Sequence, residues 1–226
     1  MNYFKYFSFF FIISCFNEKK LFRTDFKYLA LGDSYTIGES VNFTSSYPFQ
    51  LKDEININKK EIIDSLQIIA KTGWTTNELI DTLSKIDLEK KYDMVSLLIG
   101  VNNQFRDYDI STYRYEFENL LINAINYSKY KRNVFVISIP DYGVTPFGKT
   151  RNQEKIFKEI NIYNNINREI SKKYNVMYFD ITEISREAEF DSTLLSYDKL
   201  HPSNKMYNLW VQEMKDEILD SLQSNN

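Results

Sequence analysis

Along the chain, short apolar runs alternate with longer segments in which apolar residues recur every three or four positions. Tyr28–Leu31, Leu66–Ala70, Met94–Ile99, Val134–Ile139 and Val176–Phe179 read as five strands. Several of them are almost continuously apolar, the pattern of a parallel sheet covered on both faces. Helical segments separate them at about Pro48–Asn58, Thr76–Leu88, Thr112–Lys129 and Gln153–Lys173, and a last one follows at about Ser203–Leu222. In that last segment Met206, Trp210, Met214 and Ile218 stand four residues apart, the stripe of a helix packed on a core. Ser46 ahead of Pro48, and Ser203 after Pro202, are helix-start signals. The alternation predicts an α/β fold, a three-layer α/β/α sandwich.

The composition narrows the function. With 226 residues, of which 43% are hydrophobic, the chain has enough apolar surface for the core of one domain. A net charge of -3 argues against a nucleic-acid partner, which selects a basic face. One histidine and one cysteine cannot build a zinc cluster, so no metal is expected. The single cysteine also excludes an internal disulfide. The turn after the first strand, Gly32-Asp33-Ser34-Tyr35-Thr36-Ile37-Gly38, lacks the second glycine of a dinucleotide loop. No cofactor is expected.

The N-terminus departs from this pattern. Lys5 is followed by the apolar run Phe7–Ile13, too short to span a bilayer, and then by Ile12-Ile13-Ser14-Cys15. We read residues 1–14 as an export signal cleaved before Cys15, which resembles the lipidated cysteine of a bacterial lipoprotein. Residues 15–26 are then a tether and 27–226 the folded domain, expected as a monomer held at the bacterial cell envelope.

In open parallel sheets, ligands bind beyond the carboxyl ends of the strands, and the chemically capable residues of this chain fall there. Ser34 follows the first strand, Gly73 the second, and Asn102 the third. The only histidine, His201, stands in Asp198-Lys199-Leu200-His201-Pro202, before the last helix. A serine attacks an ester at neutral pH when a base takes its proton, and imidazole is the usual base. A carboxylate then orients the ring and stabilises the cation that forms. Asp198, three residues from His201, is placed for that task, whereas Asp33 reads as a brace for the turn. Ser34 and Gly73 offer backbone N–H groups, and Asn102 a side-chain amide, to an oxyanion. Tyr142 and Phe147, after the fourth strand with Gly143 and Gly148 to bend the segment, are candidates to wall a substrate pocket. With 16% of the chain aromatic, plain packing accounts for them equally well.

Taken in order, these blocks resemble the SGNH (GDSL-type) esterase and lipase family. Its four name-giving residues match Ser34 in Gly-Asp-Ser, Gly73, Asn102 in Gly-x-Asn, and His201 in Asp-x-x-His-Pro, across about Leu29 to Pro202. One departure is Asn103, where the family's third block often carries aspartate. The resemblance implies a flavodoxin-like fold with a central five-stranded parallel sheet and cofactor-free ester hydrolysis through an acyl-enzyme. Ser34 would be the nucleophile, His201 the base, Asp198 its orienting acid, and Ser34, Gly73 and Asn102 the oxyanion donors. The substrate would be a small or short-chain acyl ester, whether a lysophospholipid, a simple ester or an O-acetylated glycan. Acyl transfer at the same site, and a surface-anchored binding protein that keeps the fold without catalysis, remain the alternatives.

Overall fold

The computed structural model describes residues 25–57, 62–88 and 92–223. The stretch read as an export signal, Cys15 and nearly all of the stretch read as a tether lie outside them. Five parallel strands form one sheet: β1 (Asp25–Gly32), β2 (Ile62–Ala70), β3 (Met94–Leu98), β4 (Val134–Ile137) and β5 (Met177–Phe179). Their order is β2-β1-β3-β4-β5. β1 begins within the stretch read as tether, so strand rather than tether holds Asp25 and Phe26. Its register runs from Asp25 opposite Ile62 to Gly32 opposite Ala70 on one side, and from Tyr28 opposite Met94 to Gly32 opposite Leu98 on the other.

The five expected helices are present as Tyr47–Ile57, Thr76–Lys85, Ile110–Tyr127, Gln153–Tyr174 and Asn204–Gln223. Three short ones carry no periodic signal in the sequence: Ser34–Ile37, Val101–Phe105 and Thr182–Arg186. In chain order the eight are α1 (Ser34–Ile37), α2 (Tyr47–Ile57), α3 (Thr76–Lys85), α4 (Val101–Phe105), α5 (Ile110–Tyr127), α6 (Gln153–Tyr174), α7 (Thr182–Arg186) and α8 (Asn204–Gln223). With this strand order, the right-handed crossovers usual for parallel strands put α2 on one face and α3, α5 and α6 on the other, an arrangement with which the helix contacts agree. α8 packs on α2, and α5 packs on both α3 and α6.

The near-continuous apolar runs are explained by this covering. Every residue of β3 and β4 is buried, as are Tyr28 to Leu31 at the centre of β1. The α8 stripe of Met206, Trp210, Met214 and Ile218 is buried as well. β4 stops at Ile137, two residues earlier than its apolar pattern suggests. There the Asn164 side chain replaces a neighbouring strand, accepting from Ile139 N at 2.8 Å and donating to Ile139 O at 2.9 Å. Many polar groups inside the core are paired, such as Tyr28 and Tyr47 sharing the Ser96 hydroxyl at 2.8 and 3.2 Å.

Candidate active site

The strand order reverses between β1 and β3, the position where open α/β sheets form a crevice. Gly32 is opposite Leu98, so the chain leaving β1 with Ser34 runs beside the chain leaving β3 with Asn102. Ser34 is the first residue of α1, and its N–H therefore has no partner within the helix. Asp33 caps that helix, its Oδ1 accepting from Tyr35 N at 3.0 Å. α1 ends after one turn at Gly38, in the left-handed region at φ 78°. Ser34 is thus held at a sharp strand-to-helix turn.

The second candidate donor, Gly73, lies on the turn after β2. Gly73 adopts φ 84°, and a Cβ there would meet only Arg106 Nη2, at 3.6 Å. Backbone conformation, not crowding, is what calls for glycine at this position. Arg106 Nη2 donates to Gly73 O at 2.7 Å, while its Nη1 reaches Glu78 Oε2 at 3.3 Å. Glu78 closes a capping box with Thr75 at the start of α3. The Thr75 N–H, with Arg106 contributing less, holds the Glu78 carboxyl below its ordinary value. This chain of contacts fastens the Gly73 turn to α3 and α4.

Asn102, on α4, spends one amide hydrogen on Trp74 O at 2.9 Å. The second has no partner among the described residues. Gly100 precedes α4 at φ 130°, and a Cβ there would fall 2.5 Å from the Tyr113 hydroxyl. Asn103, the departure from the family pattern, is fully buried and fastens α3: its Oδ1 accepts from Thr76 N at 3.0 Å and its Nδ2 donates to Thr76 Oγ1 at 2.7 Å. The amide thereby makes both contacts the loop needs without a carboxylate.

Asp198 and His201 share a tight loop before α8, closed by an antiparallel bridge between Leu195 and Pro202. Asp198 Oδ2 meets His201 Nδ1 at 2.6 Å, and Oδ1 accepts from Leu200 N and His201 N at 2.9 and 3.0 Å. Ser40 Oγ also donates to Oδ2, at 2.6 Å. Burial works against the Asp198 charge, but the Ser40, His201 and backbone hydrogen bonds outweigh it and bring the carboxyl down to about 2. Asp198 is therefore ionised at neutral pH. The Tyr35 ring meets the imidazole edge-on at 5.7 Å and is itself backed by Trp210 at 6.4 Å. With its side chain 12% exposed, His201 is held on one side by the acid and on another by an aromatic ring.

Ser34, Gly73, Asn102 and His201 line one cleft of about 170 Å³, with Thr72, Leu200 and an aromatic wall. Ser34 Oγ, in this cleft, has no hydrogen-bond partner among the described residues. Tyr142 and Phe147 do form the wall, joined by Phe105 from α4 with ring centroids 6.1 to 6.2 Å apart. Arg151 lies over Phe105 and Phe147, at 4.5 and 4.9 Å. The segment carrying the wall is fastened rather than pliant. Asp141 forms a buried ion pair with Arg186 at 3.0 Å and accepts from Gly143 N at 2.8 Å. Gly148 packs so closely that a Cβ would fall 2.1 Å from Tyr142 O. Its role, read as bending, is close packing. Asp33 makes no hydrogen bond with His201; it is buried, its Oδ2 lacks a partner, and burial raises its carboxyl to about 7. Among the described residues no group of histidine, cysteine and acidic side chains fits a metal ion, and no helix is long and apolar enough to cross a membrane.

Solved structures of similar fold include an acetylxylan esterase from Geobacillus stearothermophilus, with 18% identity, a TM-score of 0.66, and 87% of this chain covered against 95% of that one. A lipase/acylhydrolase from Enterococcus faecalis has 22% identity and a TM-score of 0.67, covering 86% and 96%. An alpha/beta hydrolase enzyme from the metagenome of Lake Arreo has 15% identity and a TM-score of 0.62, covering 91% and 99%. No curated protein matches the chain in sequence. At these identities the structural likeness concerns the fold. The sequence model of the GDSL-like lipase/acylhydrolase family matches residues 30–209, from within β1 into α8 and across every residue placed on the cleft, and the chain belongs to that family of carboxylic ester hydrolases.

Proposed function

We propose that the protein hydrolyses short-chain acyl esters through an acyl-enzyme on Ser34. The observation that carries this reading is the 2.6 Å contact of Asp198 with His201 Nδ1 on the rim of the cleft that holds Ser34. That contact leaves Nε2 as the base. Ser34 Oγ attacks the ester carbonyl while its proton passes to His201 Nε2, and the carbonyl oxygen becomes an oxyanion. The N–H groups of Ser34 and Gly73 and the free Asn102 amide hydrogen receive it. The C–O bond to the alcohol then breaks, and the departing oxygen takes the proton from Nε2. Water repeats the cycle on the acyl-serine: His201 takes its proton, and returns it to Ser34 as the acid leaves. Asp198, ionised throughout, steadies each imidazolium.

The preference for a short acyl chain rests on the small cleft and the fastened wall of Phe105, Tyr142 and Phe147. The acetylxylan esterase of similar fold lends an acetyl ester on a glycan as the first substrate to try. A serine-reactive phosphonate should label Ser34, with labelling lost in Ser34→Ala together with roughly 10⁴–10⁶ of kcat. Among p-nitrophenyl esters, kcat/KM should be highest for acetate to butyrate. Labelling at another residue, or an active Ser34→Ala enzyme, would refute the reading. From the N-terminal sequence we also propose export and lipidation at Cys15, with the folded domain acting as a monomer at the cell envelope.

A further inference from the structure

The loop that follows α1 does more than end the helix. Gly38 and Glu39 N–H groups both close on Ser34 O, at 3.2 and 3.0 Å. One residue later Ser40 takes φ 64°, a conformation costly for a residue with a Cβ. That conformation accompanies two contacts with the loop of the acid. Ser40 Oγ donates to Asp198 Oδ2 at 2.6 Å, and Ser40 O accepts from the hydroxyl of Ser196. Ser196 is in turn tied to the histidine, its N–H donating to His201 O at 2.8 Å. The receiving loop is strained as well, since Lys199 has φ 58°.

From this we infer that Ser40 is a positioning residue of the catalytic apparatus, holding the Asp198 carboxylate and tempering its pull on His201. The inference rests on the reading of Ser34, His201 and Asp198 as nucleophile, base and acid. The hydroxyl of Ser40 and His201 Nδ1 share one oxygen of Asp198. Two donors on one oxygen divide its negative charge, so the imidazolium is stabilised less than by an unshared carboxylate. The seven-residue stretch 34–40 therefore carries the nucleophile at one end and a support for the acid at the other. This fixes the distance between them through one turn of helix rather than through the whole sheet.

The sign of the effect follows. Without the Ser40 hydroxyl, Oδ2 becomes a stronger acceptor for the imidazolium, and neutral imidazole appears at higher pH. The ascending limb of the rate should move upward in pH, while a looser carboxylate lowers the rate on the plateau. Other titratable groups facing the pair stay in place: the Tyr35 and Tyr207 phenols, which burial keeps well above their ordinary value, Tyr142 across the cleft, Asp33 beside Ser34, and Glu39 and Lys199 on the two loops. Parent and variant share all of them, so the displacement between the two profiles reports Ser40 alone.

The test is the rate of phosphonate labelling of Ser34, and of p-nitrophenyl acetate hydrolysis, from pH 5 to 9 for the parent, Ser40→Ala and Ser40→Gly. Glycine suits the left-handed backbone, so a folded protein lacking the hydroxyl is secured even if alanine strains the loop. Both variants should react roughly 10- to 100-fold more slowly on the plateau, the size of one charge-assisted hydrogen bond, with KM little changed. Their midpoints should lie higher in pH than the parent's. A Ser40→Gly enzyme with the parental rate and midpoint overturns the inference, as does a slowed enzyme whose midpoint has not moved. A parent that is not labelled at Ser34 overturns the proposed function first, and this inference with it.

Discussion

Asp33 stands next to Ser34, and burial makes it costly to ionise. It is completely buried, its Oδ1 accepts from Tyr35 N, and its Oδ2 has no partner. Burial raises its carboxyl from 3.8 to about 7, and the Tyr35 hydrogen bond recovers only part of that cost. A displacement of roughly three units corresponds to about 4 kcal/mol at 1.36 kcal/mol per unit. Between the unfolded and folded values the native state binds the extra proton, so stability falls as pH rises through this window and levels off above about 7. Asn at this position keeps an oxygen for Tyr35 N–H but does not titrate. Urea unfolding of parent and Asp33→Asn at pH 5 and pH 8 isolates the term, because all other titrations cancel in the difference. Two units of the window lie between these pH values, so the balance should move toward Asp33→Asn by about 3 kcal/mol. A difference independent of pH, or one moving toward the parent, would show that Asp33 is solvated or paired in the native protein and refute the reasoning.

Asn102→Ala should lower kcat by roughly 10²–10³ with a smaller change in KM, because an oxyanion donor is lost where charge develops; a rise in KM at constant kcat would make Asn102 a ground-state contact instead. Gly148→Ala places a methyl 2.1 Å from Tyr142 O and 2.6 Å from Gly143 Cα. It should cost about 1–3 kcal/mol in denaturant unfolding and change the ratio of butyrate to acetate hydrolysis as Tyr142 shifts. An unchanged ratio would mean that the wall does not set chain length. Cys15→Ser should release the protein from the membrane fraction of a bacterial host or block its processing, and an unchanged distribution would reject lipidation.

What the sequence determined was whatever repeats or clusters locally. Five apolar runs marked the strands, because a parallel sheet covered on both faces needs side chains buried on both sides of each strand. Long amphipathic segments marked α2, α3, α5, α6 and α8 to within a few residues. Ser34, Gly73, Asn102, Asp198 and His201 were legible because each lies in a short block at a strand end or loop. Helices of four or five residues complete barely one turn, so α1, α4 and α7 had no period to display. Phe105 looked like any other aromatic residue until α4 turned it beside Tyr142 and Phe147. Asn103 looked like a lost acid until its amide met Thr76. Ser40 had no motif at all: its partner is 158 residues away, and only the closing of the sheet brings the loop after β1 against the loop before α8. Burial, shared hydrogen bonds and the charge they permit depend on neighbours distant in sequence, and the tertiary structure alone decided them.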